Sequence, residues 1–289
     1  MLLHPRHFPL LITGLFLTGC VQQFTIRTVA GIVDEYGFAT LNEESDLPIA
    51  EQAIGSNLKL MEIFLKGDPR NPDLTMLLSM GYTSYALGFV EDESTERARV
   101  LYLRGRDFGL RRLKENSAFN AGFTGDLDAF RGALEELPHE YLPAVFWTAM
   151  GWGSYINMTL TDPNALADIP RVETMMEYVR DQDSTYYYGG AYLFLGSLYG
   201  SRARILGGDP EKAKWNFERC LSVNKGDFYL TQVYYAQSYA VQTQNRQLFE
   251  ELLTKVENAS LDVLPEARLP NAIAQRKAKL LLARIDELF

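Results

Sequence analysis

Histidine and cysteine are scarce: the 289-residue chain has three of the first and two of the second. His4 and His7 fall among the first ten residues, which leaves His139 for the rest. One histidine and one or two thiols cannot build a zinc site of ordinary ligands. A framework of disulfides is equally excluded. Charge of positive sign is also short, with a formal net charge of −9. Nucleic acid and anionic lipid surfaces call for lysine and arginine clusters, so both are poor partners for this chain. Long apolar runs are missing too. The run Phe8–Leu17 has ten residues and falls well short of the roughly 20 that a spanning helix needs, and no other stretch approaches 18 apolar residues. No GxSxG, HExxH, phosphate-binding glycine loop or calcium loop is written anywhere. A His139–Glu140 acid/base pair is conceivable on paper, but "LPHEYLP" reads as an interhelix loop. The chain is not expected to be an enzyme and needs no cofactor.

What is present begins at the N-terminus. Arg6, the apolar run and "LTGC" (Leu17–Cys20) have the length and order of a bacterial signal peptide that ends in a lipobox. An ordinary secretory signal with an incidental cysteine is the alternative. The lipobox pattern implies removal of residues 1–19 and an N-acyl diacylglycerol on Cys20. Several acyl chains give a stable membrane anchor where one does not. Val21 follows the cysteine where an aspartate would favour the inner membrane, so the pattern points to the bacterial periplasm and the outer membrane. Cys220, in "FERCLSV", has the spacing of a buried core residue.

Beyond residue 45 the apolar positions recur at three and four, which predicts helix after helix. Asp68-Pro69, Asp162-Pro163 and Asp209-Pro210 read as an N-cap followed by a first-turn proline. "FTIRTVAGIV" (Phe24–Val33) could be a strand or the start of a helix. Short connections and the absence of a flexible linker predict a lipidated segment over 20–45 and one helical domain over 46–289.

The helices repeat. "SMGYTSYALG" at Ser79 and "AMGWGSYINM" at Ala149 carry Met-Gly, Ser and Tyr at matched positions. Leu195, Gly196 and Tyr199, followed by Ala213, Phe217 and Cys220, follow the tetratricopeptide pattern, with a loop about five residues longer. Tyr235, Ala236 and Tyr239 open another unit. Starts near 80, 150, 195 and 235 predict an all-α fold of cryptic tetratricopeptide-like hairpins in a superhelical solenoid, with a helical pair inserted between the first two units.

The order of these pieces resembles the T component of TPR-associated TRAP (tripartite ATP-independent periplasmic) transporters. "NLKLMEIFLKGDPRNPDLTMLLSMGYTSYALGFVEDE", "RARVLYLRGRDFGLRRL" and "LPAVFWTAMGWGSYINM" carry the resemblance, which covers most of the chain and is weaker at 21–44 and 255–289. It implies a lipid-anchored scaffold that binds the periplasmic TRAP solute-binding protein and assists uptake of a small organic anion or hydrophobic carboxylate. It also implies a homotrimer and a pore through each subunit beside the partner's ligand cleft. A repeat lipoprotein for outer-membrane or envelope assembly is the other reading.

Candidate groove residues follow from the aromatic and basic positions. Gly81 and Gly151 would let a neighbouring helix approach while Tyr85 and Tyr155 fill the seam; Tyr82 and Trp152 are not required by the repeat and could look into the groove. Tyr186, Tyr187 and Tyr188 are consecutive and cannot share a helix face, so Tyr187 and Tyr188 belong to a groove or to core and surface. Arg104 and Arg106, with Arg111 and Arg112, either pair along a solvated helix or meet an anionic ligand or acidic partner. The acidic stretches "VEDESTE" and "NEES" read as solvated helix caps.

Overall fold

A computed structural model describes residues 21–289; Cys20 and the expected signal at 1–19 lie outside them. The described chain is helical and contains no strand. Helix α1 runs over 21–42 with a π-turn at Val33–Gly37, which settles the ambiguous Phe24–Val33 segment as helix. There follow α2 (Leu47–Gly67), α3 (Pro72–Tyr85, extended by a π segment at Ala86–Val90) and α4 (Thr95–Leu113). Next come α5 (Ser117–Phe123), α6 (Leu127–Glu135), α7 (Leu142–Asn157), α8 (Pro163–Ala167) and α9 (Ile169–Gln182). The C-terminal half holds α10 (Tyr186–Gly200), α11 (Pro210–Asn224), α12 (Leu230–Tyr234, extended by a π segment at Tyr235–Ala240), α13 (Arg246–Glu257), α14 (Arg268–Leu282) and α15 (Ile285–Leu288).

Caps explain most of the starts. Asp46 accepts from the Ile49 amide at 3.0 Å, Asn71 from Leu74 at 3.0 Å and Asn245 from Leu248 at 3.0 Å. Asp209 takes both the Glu211 and Lys212 amides at 3.1 Å, so a single carboxylate satisfies two of the four free N–H groups of α11. Asp68-Pro69 departs from expectation. Asp68 closes α2, and Asn71-Pro72 opens α3 instead. The reason is the partner: buried Asp68 receives the Arg27 guanidinium of α1 at 2.8 Å and so ties the first helix down.

Consecutive helices pack as hairpins, α3 on α4, α7 on α9, α10 on α11 and α12 on α13, each against the next. The pair α5–α6 sits between the first two hairpins, where an inserted pair was expected. This stacking is compatible with tetratricopeptide-like repeats. Two apolar clusters fill the interior. One joins Phe130 and Leu134 of α6 to Phe146 of α7, Val172 of α9 and Leu195 of α10. The other joins Leu78 and Phe89 of the α3 region to Val233 of α12, Phe249 of α13 and Ile273 of α14. The first and last hairpins therefore share one core, and each fully buried leucine or phenylalanine in it contributes about 2 kcal/mol.

Close crossings depend on glycine where a helix meets backbone. A Cβ at Gly151 would stand 2.9 Å from the Tyr102 carbonyl oxygen and 3.1 Å from the Arg106 nitrogen, so α7 lies directly on α4 there. Gly81 differs: its missing Cβ faces the Leu58 side chain, not a backbone. The seam reading holds for Gly151 and only loosely for Gly81.

Candidate functional site

Five helices present one stripe each to a shared cavity of about 380 Å³. Ser84 and Leu87 come from the α3 region, Trp147, Met150 and Ser154 from α7, and Gly190, Leu193 and Ser197 from α10. Tyr234, Gln237 and Val241 come from the α12 region, and Pro270 and Ile273 from α14. The spacing of three and four is that of a single helix face. No lining residue belongs to α4, α9, α11 or α13. The hairpins thus have an inner and an outer helix, and the cavity runs along the inner ones. Phe38 and Leu41 of α1 and Ile54 of α2 cover its remaining side. The volume lies in the range of small-molecule pockets.

The π segments belong to this site. The Glu91 amide reaches back five residues to the Ala86 oxygen at 2.9 Å, and a second π segment spans Tyr235–Ala240. A π-turn shifts the side-chain register of an otherwise regular helix, and such turns gather at functional sites. Here they bring Leu87 and Phe89, and Gln237 and Ser238, to the lining.

None of the lining residues is Asp, Glu, Lys, Arg or His. Uncharged hydroxyls and amides supply the polarity. Tyr187 lines the cavity with its ring edge-on to Trp147, centroids 5.0 Å apart, and its phenol is pushed far above the ordinary value by burial. It sits in an unusual turn: Tyr187, Tyr188 and Gly189 have φ of 47°, 60° and 80°. Two tyrosines in the left-handed region cost roughly 1–2 kcal/mol each, a strain that is typical of ligand-contacting backbone. Stacking of Tyr188 on Phe228, at 4.6 Å and 15°, holds the turn in place.

Of the eight candidate groove residues, Tyr187 alone is on the cavity wall. Tyr82 is 3% exposed and donates to Glu62 Oε1 at 2.6 Å, with Arg104 5.1 Å over its ring. Trp152 is 5% exposed, donates to Asp168 Oδ2 at 3.1 Å, and lies under Arg106 at 5.5 Å. Neither Tyr82 nor Trp152 faces the cavity; each pairs with an arginine of α4 on the other side of its helix. Tyr85 lies under Arg97 at 5.8 Å, and Tyr155 packs half-buried between the two apolar clusters. Arg106 also pairs with Asp107 at 2.7 Å. Tyr186, Tyr187 and Tyr188 are all half-buried, and Tyr187 and Tyr188 both pack on Phe228; the left-handed turn, not a helix face, sets their directions.

The acidic stretch at 90–96 also departs from a solvated cap. Ser94 does cap α4, accepting from the Arg97 amide at 3.3 Å. Glu91 and Asp92, however, meet Lys277 of α14 at 2.6 and 2.8 Å. Sequence spacing carried no sign of this contact. Cys220 is buried, as expected, and burial pushes its thiol to about 11. Among the described residues, no group of three His, Cys, Asp or Glu is placed to hold a metal ion, and no helix is long and apolar enough to cross a membrane.

An uncharacterized protein of Treponema pallidum (strain Nichols) is 27% identical over 270 residues, which cover 86% of this chain and 81% of that protein. Residues 43–289 match the family described as the TRAP transporter T-component. An all-helical chain with this match over most of its length belongs to the TRAP transporter T-component family and takes part in TRAP transport.

Proposed function

We propose that the protein is a lipid-anchored scaffold of the bacterial periplasm that docks a TRAP solute-binding protein and assists passage of its substrate. The observation that carries this reading is the charge-free cavity enclosed by the inner helices of a T-component fold. A wall of Phe, Trp, Leu and Ile with scattered hydroxyls suits a small, largely apolar solute handed on without tight capture. The membrane contact rests on Cys20, whose acylation would hold the fold at the outer membrane.

The test is a pull-down of the secreted chain carrying Cys20→Ser with the TRAP solute-binding protein encoded nearest to it. Retention of that protein supports the reading. Failure to associate at tens of micromolar contradicts it.

A further inference from the structure

The first helix is apolar on two opposite sides, and the fold covers one of them. Ile26 and Ala30 of α1 are buried, Ile26 lies against Gly67 of α2, and Arg27 pairs with Asp68. The opposite side carries Val21, Phe24, Thr28 and Ile32, at the spacings of three and four that mark one helix face. Val21 is 63% exposed, Phe24 73% and Ile32 55%. Exposed apolar residues scattered singly are ordinary, whereas a row of them along one helix marks a contact surface. The hydroxyls beside them are already spent within the helix. Thr28 donates to the Phe24 oxygen at 3.0 Å, and Thr25 to the Val21 oxygen at 2.9 Å. From Val21 to Ile32 the one ionised side chain is Arg27, which Asp68 engages. Covering this face therefore strands no charge and no donor.

We propose that the first three turns of α1 lie on the phospholipid bilayer, with Val21, Phe24 and Ile32 sunk into its surface. This rests on the reading of Cys20 as the acylated residue and adds a second membrane contact to it.

The place of Cys20 in the chain argues for lipid over a protein occupant. One peptide bond, about 3.8 Å between Cα atoms, joins it to Val21, which is already helical. Acyl chains on Cys20 enter the bilayer beside the first turn of α1, and no linker intervenes to lift the helix away. Phe24 follows within about 6 Å of helix rise and Ile32 within about 18 Å. A helix lying flat sinks its apolar face about 5–10 Å, to the boundary of headgroups and acyl chains, which side chains of this size reach. The face has no free cation, so the contact draws on apolar area and not on anionic headgroups, in keeping with the acidic balance of the chain. Glu35 is the first carboxylate on the outer side after Ile32 and marks where the helix returns to water. Beyond it, Phe38 and Leu41 wall the cavity, so one helix serves the membrane at one end and the cavity at the other.

The test uses the acylated full chain in vesicles of phosphatidylethanolamine and phosphatidylglycerol. A fluorophore is attached at Phe24→Cys, at Ile32→Cys or, as an aqueous reference, at Asp128→Cys of α6. Cys220 is buried and leaves the new thiol as the one that takes the label. Phe24, Ile32 and Asp128 are exposed, so none of the substitutions opens the core. Brominated acyl chains should remove most of the emission at Phe24→Cys and Ile32→Cys and leave that at Asp128→Cys unchanged. Iodide in the water should do the reverse. Equal quenching by iodide at all three positions overturns the proposal. So does shielding of the first two in a Cys20→Ser chain without vesicles, since a second copy of the chain then covers the face. The anchor is scored apart, by flotation of the unlabelled chain with the same vesicles. A chain that floats while iodide reaches both α1 labels keeps its acyl anchor and lacks the helix contact. A chain that does not float refutes the reading of Cys20, and the proposal with it.

Discussion

Lys277 Nζ lies 2.6 Å from Glu91 Oε1 and 2.8 Å from Asp92 Oδ2, closing the last inner helix onto the first across 186 residues. Tyr234 OH donates to the same Glu91 oxygen at 3.2 Å, and Tyr102 OH donates to the other. Arg276 adds a hydrogen bond to the Gly88 carbonyl. The lysine is 4% exposed and the glutamate 14%, so the pair has left water and relies on its partners. Because Tyr234 also lines the cavity, this contact fixes part of the wall.

Lys277→Met should therefore cost about 3 kcal/mol, since it strands the largely buried Glu91 carboxylate and leaves Asp92 only the Arg276 guanidinium at 4.0 Å. At the sensitivity of a chain this long, thermal unfolding should fall by roughly 6–12 °C. Adding Glu91→Gln to that variant should restore part of the loss; thermal scans of the single and double variants check both statements.

Glycine positions predict opposite signs. Gly151→Ala pushes a methyl group into the backbone of α4 and should destabilise by 1 kcal/mol or more, about the lower end for an overpacked core. Gly132, in α6, has nothing within 4 Å of its missing Cβ. Gly132→Ala should stabilise by about 0.5–1 kcal/mol through helix propensity. Urea midpoints measured side by side distinguish the two.

At Tyr188 the left-handed backbone and the side chain make separate demands. Both Tyr188→Gly and Tyr188→Ala lose the stack on Phe228, but only glycine is at ease with φ of 60°. The glycine variant should be the more stable by about 1 kcal/mol. Equal stabilities would mean that the turn relaxes to ordinary helix.

Alkaline pH should weaken the fold through buried phenols and the thiol. Burial first of all raises Tyr187, Tyr199 and Tyr235 well above the ordinary phenol value, Tyr186 to about 12 and Cys220 to about 11. The folded chain keeps these protons after the unfolded chain has released its own. Stability is thus fully present below about pH 9 and falls as pH rises beyond it. Tyrosine absorbance should show a fraction of the 16 tyrosines ionising only together with the loss of helical ellipticity.

Local elements were legible in the sequence because their signals are local. α13, at Arg246–Glu257, shows the spacing of three and four in its apolar positions and has Asn245 as its cap. α4 likewise starts at Thr95, directly after its Ser94 cap. α5 and α8, of seven and five residues, are too short to show a period. The cavity was not legible, since its wall draws single stripes from helices far apart in the chain. Trp152 looked available because the repeat gives it no task; its task is a bond to Asp168 and a place beside Phe123, neither of which the repeat encodes. The Lys277 contact was hidden for the same reason: charges 186 residues apart show no periodicity.

The most direct test of the account is a sedimentation-velocity titration of the Cys20→Ser chain against its TRAP solute-binding protein. The account predicts a faster-sedimenting complex that saturates at a defined ratio in the low micromolar range. Two species that sediment independently at every ratio, up to tens of micromolar, would contradict it.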